Sequence, residues 1–248
     1  MSVVDPGRFG DVFRDAVEHY WAKRGAAAGM SEGAYGGRRA EVVGGKQLDG
    51  FLLALSELLI EQAGVPAGWI AWDTRGQTLI PGWFRATKSW DLLVVEPVGR
   101  GKDPVLHAAV ELKVLGGPSF GNNANNRAEE SIGNAVDLWK SYREGGFRIG
   151  DEPFVGYLIM VEDTPRSRTP IRVNEPYYSV FPEFQGASYI KRMCLLCERL
   201  MAERLYTAAC TITTDERKVG TPEVYGEPDP VVGVSRFVEA LIRRTRPT

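Results

Sequence analysis

Asp91 opens the apolar run WDLLVV, and twenty residues further on Glu111 and Lys113 lie inside a second run, HAAVELK. These residue types suit one kind of chemistry. Carboxylate oxygens are the ligands of hard divalent cations, and Mg²⁺ typically binds through one or two carboxylates plus phosphate oxygens and water. A cation held this way activates water and offsets charge growing on a phosphate. A neighbouring lysine can orient that water or stabilise the transition state. The pattern therefore points to hydrolysis of a phosphodiester, the cutting of a nucleic acid. The plain alternative is a chance spacing in which Glu111 and Lys113 form a solvated pair on a strand surface.

The elements that would hold these residues are legible from periodicity. Trp90 to Val95 and Val105 to Leu115 read as strands, separated by a turn region with Pro97, Gly99 and Gly101. Strand side chains alternate between faces, so Glu111 and Lys113 share one face while Val110, Leu112 and Val114 point into a core. Two charges on a hydrophobic strand need partners, because burying them unpaired is costly. Phe154 to Val161 is a continuous apolar run, which predicts a central strand covered on both sides.

Around these strands, Asp5 and Pro6 cap a first helix with Phe9, Phe13, Ala16, Val17, Tyr20 and Trp21 at helical spacing. Gly25 to Gly45 is glycine- and alanine-rich and reads as a loop. A second helix runs from about Leu48 to Ala63, ended by Gly64 and Pro66. A short strand is expected near Trp83. Gly116 to Asn125 reads as a polar loop, followed by a helix from about Asn126 to Arg143 with Ile132, Ala135, Val136 and Trp139 as its apolar side. Asp163 to Gly186 is irregular. A long helix follows over about Ser188 to Tyr206, then a strand near Ala209 to Thr213 and a closing helix over Val231 to Arg244. With no repeat or linker in view, the order implies one α/β domain with a mixed central sheet between helices. Residues 46–162 would form the catalytic core, and 1–45 and 163–248 peripheral elements for DNA binding and dimerisation.

Bulk properties exclude several classes. The 248 residues are 44% hydrophobic and 25% charged, ordinary for a globular protein. A formal net charge of -2 means that any surface for a polyanion must be local. No apolar run approaches the roughly 20 residues needed to span a bilayer, and the N-terminus lacks the pattern of a signal peptide. Three cysteines suit a reducing cytoplasm. Three apparent motifs are rejected. Gly44-Gly45-Lys46 lacks the first glycine and the Ser/Thr of a phosphate-binding loop. Cys194 and Cys197 have no second pair, and as i and i+3 on a helix they predict core packing. His19 and His107 are too scattered for a zinc site or a hydrolase triad.

WFRATKSWDLLVV, VELK and above all GPSFGNNANNRAEESIGNAVDLW resemble the XhoI family of type II restriction endonucleases, within the wider PD-(D/E)xK nuclease group. The likeness runs from GGKQLDGF at Gly44 to the CERLMAERLY segment. One departure from the wider group is Trp90, where proline would precede the aspartate, a position that contributes no ligand. The resemblance implies a restriction-endonuclease-like core and a Mg²⁺-dependent, cytoplasmic bacterial homodimer. It would cut the palindrome CTCGAG after the first C, leaving 5′ overhangs, with a methyltransferase protecting the host's copies of the site. Asp91, Glu111 and Leu112 would ligate the metal, and Lys113 would be the catalytic lysine. Related nucleases often add a carboxylate from the preceding helix. Glu57 is the candidate, Glu61 the alternative, and both also fit solvated helix charges. A structure-selective nuclease and a non-cleaving DNA-binding protein remain the alternatives.

DNA-contact candidates follow from donor chemistry. Asn122, Asn123, Asn125, Asn126 and Arg127 occupy five of six consecutive positions, and asparagine and arginine can bond base edges in bidentate fashion. The bland reading is an Asn-rich turn before a helix. Glu129 and Glu130 are placed in that helix's first turns, where its dipole favours acid. Arg85, Thr87 and Lys88 could track the backbone near the cut phosphate. Arg166, Arg168 and Arg172, and Arg38, Arg39 and Lys46, are further basic candidates on loops.

Overall fold

The computed structural model describes residues 7–31, 47–72, 76–97, 99, 103–117, 120–175 and 177–247. Helix α1 (Gly7–Ser31) buries Phe9, Phe13, Ala16, Val17 and Tyr20 along one stripe. It runs six residues beyond Gly25, into the stretch expected to be a loop. Ala26-Ala27-Ala28 is strongly helix-forming and outweighs the cost of isolated glycines. The rest of that stretch, with Arg38, Arg39 and Lys46, lies outside the described residues. Helix α2 (Asp49–Leu58) widens into a π-helical turn, Leu59–Ala63. Gly64 then ends it at φ 72°, a left-handed conformation natural to glycine.

Six strands form the main sheet in the order β1 (Ile70–Ala71), β4 (Leu92–Glu96), β5 (Val105–Leu115), β6 (Arg148–Glu162), β7 (Ala208–Thr214), β8 (Tyr225–Gly226). The central β5–β6–β7 pairings are parallel, and the outer ones are antiparallel. The apolar run from Phe154 is thus the central strand, β6, buried on both faces as its composition predicts. It starts earlier than expected, at Arg148. A separate hairpin pairs β2 (Leu79–Pro81) with β3 (Thr87–Ser89). Trp83, expected near a strand, sits in the turn that joins them.

Helices cover both faces. Leu92, Val94, Ala108, Val110 and Leu112 join α1, α2 and α6 (Val234–Thr245) in one core. Leu93, Ala109 and Leu115, on the alternate face, join α3 (Phe120–Arg143) and α5 (Tyr189–Ala202) in a second. Between the last two helices lies a single turn, α4 (Pro165–Arg168), closed by a Thr164–Ser167 capping box. The result is the expected mixed α/β sandwich.

Helix α3 departs from expectation in two ways. It starts at Phe120, so the Asn-rich block is helical and not a loop, and Glu129 and Glu130 lie mid-helix. Its inward side is also not the predicted one. Ile132 and Val136 are exposed, while Ser131, Asn134, Asp137 and Ser141 are buried beside Ala135 and Leu138. Cys194 and Cys197 on α5 and Cys210 on β7 are buried free thiols, with Thr211 Oγ1 donating to Cys197 Sγ at 3.3 Å. Burial pushes Cys194 up to about 11 and Cys197 up to about 12.

Candidate active site

Asp91 precedes β4, and its backbone N–H donates to Val110 O at 3.1 Å, extending the pairing with β5. That contact turns its carboxylate onto the neighbouring strand, where Oδ2 accepts the Leu112 N–H at 2.7 Å. Asp91 is thereby fixed against the Glu111–Lys113 segment by main-chain geometry, not by a flexible ion pair.

Glu111 points toward α3 and is only 1% exposed. Its ionised form persists because every side of it is met. Lys113 Nζ lies 2.5 Å from Oε1, and Lys88 Nζ 3.3 Å from the same oxygen. Asn134 Nδ2 donates to Oε2 at 2.6 Å. Lys88 comes from β3, where its ammonium also lies over the Trp90 ring, 5.3 Å from the centroid. The hairpin therefore delivers a second cation to the site, and Lys88 belongs here as well as among candidate phosphate contacts.

The two carboxylates are pushed in opposite directions. Burial would raise Glu111, but the charges of Lys113 and Lys88 and the bonds from Lys113 and Asn134 outweigh it and hold the carboxyl below its usual range. For Asp91 burial dominates. Lys113 and the Leu112 N–H oppose it, the Glu111 charge adds to it, and the carboxyl is raised. Of the two, Asp91 is the carboxylate whose burial its neighbours offset less completely. Two adjoining carboxylates, one of them short of compensating charge, fit a hard divalent cation. Leu112 could add only its backbone carbonyl, since its side chain is buried in the core on the opposite face.

A further layer of polar contacts supports Glu111. Asn134 Oδ1 accepts from Arg85 Nη2 at 2.7 Å, and Arg85 Nε donates to Asp137 Oδ2 at 2.7 Å. Asp137 Oδ1 accepts the N–H groups of Trp83 and Phe84, both at 2.8 Å, which fixes the turn of the β2–β3 hairpin. Gly82 permits this approach, because a Cβ there would stand 2.6 Å from Asp137 Oδ2. Reading α3 by its apolar residues missed Asn134 and Asp137. The signal available was a polar stripe, Ser131, Asn134, Asp137 and Ser141, at helical spacing.

Other candidates are dispersed. Glu57 is exposed on α2, whose packed side belongs to the core on the sheet's other face. Glu61 pairs with Arg8 at 2.6 Å. Among the described residues, no cluster of three or more His, Cys, Asp or Glu is placed to hold a metal, so neither glutamate is brought to Asp91 and Glu111. Helix α3, and not α2, is the helix that packs over Glu111. Asn122, Asn125 and Asn126 are exposed on the first turns of α3, Asn123 is half-buried, and Arg127 pairs with Glu130 at 2.5 Å. Arg166 lies over the Phe120 ring at 6.0 Å. Arg168 grips Asp163 with two donors. Arg172 and Thr87 are exposed. Arg85 spends its fork on Asp137 and Asn134.

Comparison with known proteins places the whole site inside matched sequence. The family described as "Restriction endonuclease XhoI" matches residues 28–225. The type II restriction enzyme BstVI of Geobacillus stearothermophilus is 45% identical over 206 residues, covering 83% of this chain and 90% of that protein. The type II restriction enzyme XhoI of Xanthomonas vasicola is 43% identical over 201 residues, 80% of this chain and 77% of that protein. The type II restriction enzyme AbrI of Azospirillum brasilense is 40% identical over 169 residues, 66% and 72% of the two chains. No solved structure gives a significant match.

Proposed function

The chain belongs to the XhoI family of restriction endonucleases and is a type II restriction endonuclease, and from that premise we propose that it hydrolyses double-stranded DNA at the palindrome CTCGAG, after the first C, with Mg²⁺ held by Asp91 and Glu111. The observation that carries this reading is the 2.7 Å bond from the Leu112 N–H to Asp91, which seats one carboxylate beside Glu111 and Lys113. Bound Mg²⁺ would supply Lewis-acid polarisation of the phosphate and activation of water.

The protein's own groups do the rest. Glu111 stays ionised through its two lysines and Asn134. Lys113, partly exposed beside it, turns its ammonium toward the scissile phosphate and offsets the charge that develops there. Lys88 keeps Glu111 compensated while Lys113 is so engaged. In-line attack by water leaves a 5′-phosphate and a 3′-hydroxyl. The exposed asparagines at 122, 125 and 126, with Asn123 and Arg127, face DNA from the first turns of α3. Arg85, Arg166 and Arg168 contribute to binding only so far as they are released from their present contacts. A palindromic target calls for a two-fold homodimer with two sites, and a methyltransferase would protect the same hexamer in the host.

Plasmid digestion with and without Mg²⁺, followed by sequencing of fragment ends, tests the proposal. Discrete fragments with TCGA overhangs are expected. Fragments ending at another hexamer would overturn the target, and undiminished cutting in a chelator would overturn the cofactor.

A further inference from the structure

The contact from Asn134 to Glu111 raises a question of orientation. A primary amide has one donor end and one acceptor end. Arg85, which can only donate, occupies Asn134 Oδ1 at 2.7 Å. The NH₂ end must therefore face Glu111 Oε2, 2.6 Å away. Asp137 in turn fixes the guanidinium through Nε, and the same carboxylate ties down the main chain at Trp83 and Phe84. Asn134 and Asp137 lie on one face of α3, while Arg85 and the main-chain donors of Trp83 and Phe84 come from one hairpin turn. Asn134 and Asp137 are buried, so water cannot readily replace a broken link.

We propose that Asn134 and Arg85 are positioning residues for cleavage: Arg85 sets the sense of the Asn134 amide, and that amide anchors Glu111 Oε2, leaving Oε1 as the oxygen that meets Lys113 and Lys88 and that would serve a bound cation. Neither residue touches the reacting phosphate. The inference rests on the reading of Glu111 as a metal ligand. It assigns Arg85 a duty that competes with phosphate contact. Groups that orient a metal ligand typically contribute ten- to a hundredfold in activity or metal affinity.

The test compares Asn134→Ala, Arg85→Ala and the double variant, with Glu111→Ala as reference. Single-turnover cleavage of a CTCGAG duplex is measured beside the affinity for that duplex without divalent metal. Asn134→Ala should slow cleavage about ten- to a hundredfold and raise the Mg²⁺ concentration for half-maximal rate, with affinity changed about twofold or less. Arg85→Ala should lose less, and the double variant should be no slower than Asn134→Ala alone, because Arg85 acts through Asn134. Should the alanine variant fail to fold, Asn134→Ser, too short to span both partners, should still cut several-fold more slowly than the parent.

Multiplying losses in the double variant would overturn the relay. So would a loss in Arg85→Ala that appears wholly as weaker duplex affinity. Parental rates in both Asn134 variants would overturn the positioning role. If Glu111→Ala itself cuts normally, the site reading fails instead, so the two failures are distinguishable.

Discussion

The two faces of the central sheet are built from the same strands but from different chemistry. On one side Val110 and Leu112 meet α1, α2 and α6 in the larger apolar core, where buried polar groups such as Glu162, paired with Arg24, and Thr214, accepting from Trp21, sit beside α1 and away from Asp91 and Glu111. On the other, residues one position along the same strand meet α3, and there Glu111, Ser131, Asn134, Asp137 and Ser141 are buried together. The first face derives its stability from removing apolar surface from water. The second accepts the cost of burying charge and recovers it only through a complete set of partners. A buried carboxylate such as Glu111 needs the second environment, and the first gives it a rigid floor.

The comparison breaks most sharply if one face can do the work of the other. Lys113→Ala or Glu111→Ala should reduce single-turnover cleavage by on the order of 10³-fold or more while specific binding, assayed in Ca²⁺, survives. Near-parental cutting by either variant would remove that residue from the mechanism. Phe51→Ala, on the apolar face, should do the reverse. Phe51 is fully buried and packs edge-on against Phe13 at 5.7 Å. Its loss should cost about 3–5 kcal/mol in denaturant unfolding. The rate per folded molecule should stay near parental, and a selective loss of rate would show the two faces to be coupled.

Asp137→Asn should fall between these extremes, costing about 1–2 kcal/mol, with a characteristic pH dependence. Burial alone would raise the Asp137 carboxyl, but the Phe84 N–H, the Arg85 guanidinium and the Trp83 N–H together hold it below its usual value. A lowered folded-state pKa means that this stabilisation is complete above the unfolded value, about 4. It is lost as pH falls through the lower folded value. The stability gap between parent and Asp137→Asn should therefore shrink in acid. A gap that stays constant from neutrality to pH 3 would count against the ion pair and hydrogen bonds as its source. The smallest effect should come from Val136→Ser, on the outward side of α3, which is expected to stay within about 0.5 kcal/mol. A larger loss would mean that the apolar side of this helix is covered after all.

The same contrast explains what could be read in advance. Strands β4 to β6 were legible because alternating or continuous apolar runs have one physical reading, and Asp91, Glu111 and Lys113 came with them. The apolar pattern of helix α3 misleads for the converse reason. A rule that sends Ile132 and Val136 inward fails where the buried side is a hydrogen-bonded polar network. Its start was misplaced because Gly121 and the asparagines look like turn residues, although a helix can carry them when its later turns are anchored. The two-residue edge strands β1 and β8 carry too little pattern to be seen. Lys88 was identified as basic and near the site, but only the hairpin's docking against Asp137 reveals that it reaches Glu111. Glu57 was inferred from related nucleases, and the packing of α2 sends it elsewhere.

The buried thiols have a practical corollary. Alkylating reagents attack the thiolate, and in Cys194 and Cys197 that form is scarce at neutral pH as well as shielded. Iodoacetamide should therefore mark these two thiols only when α5 lifts from the sheet, so that their labelling rate, followed apart from that of Cys210 on β7, becomes a clock for local opening of that layer.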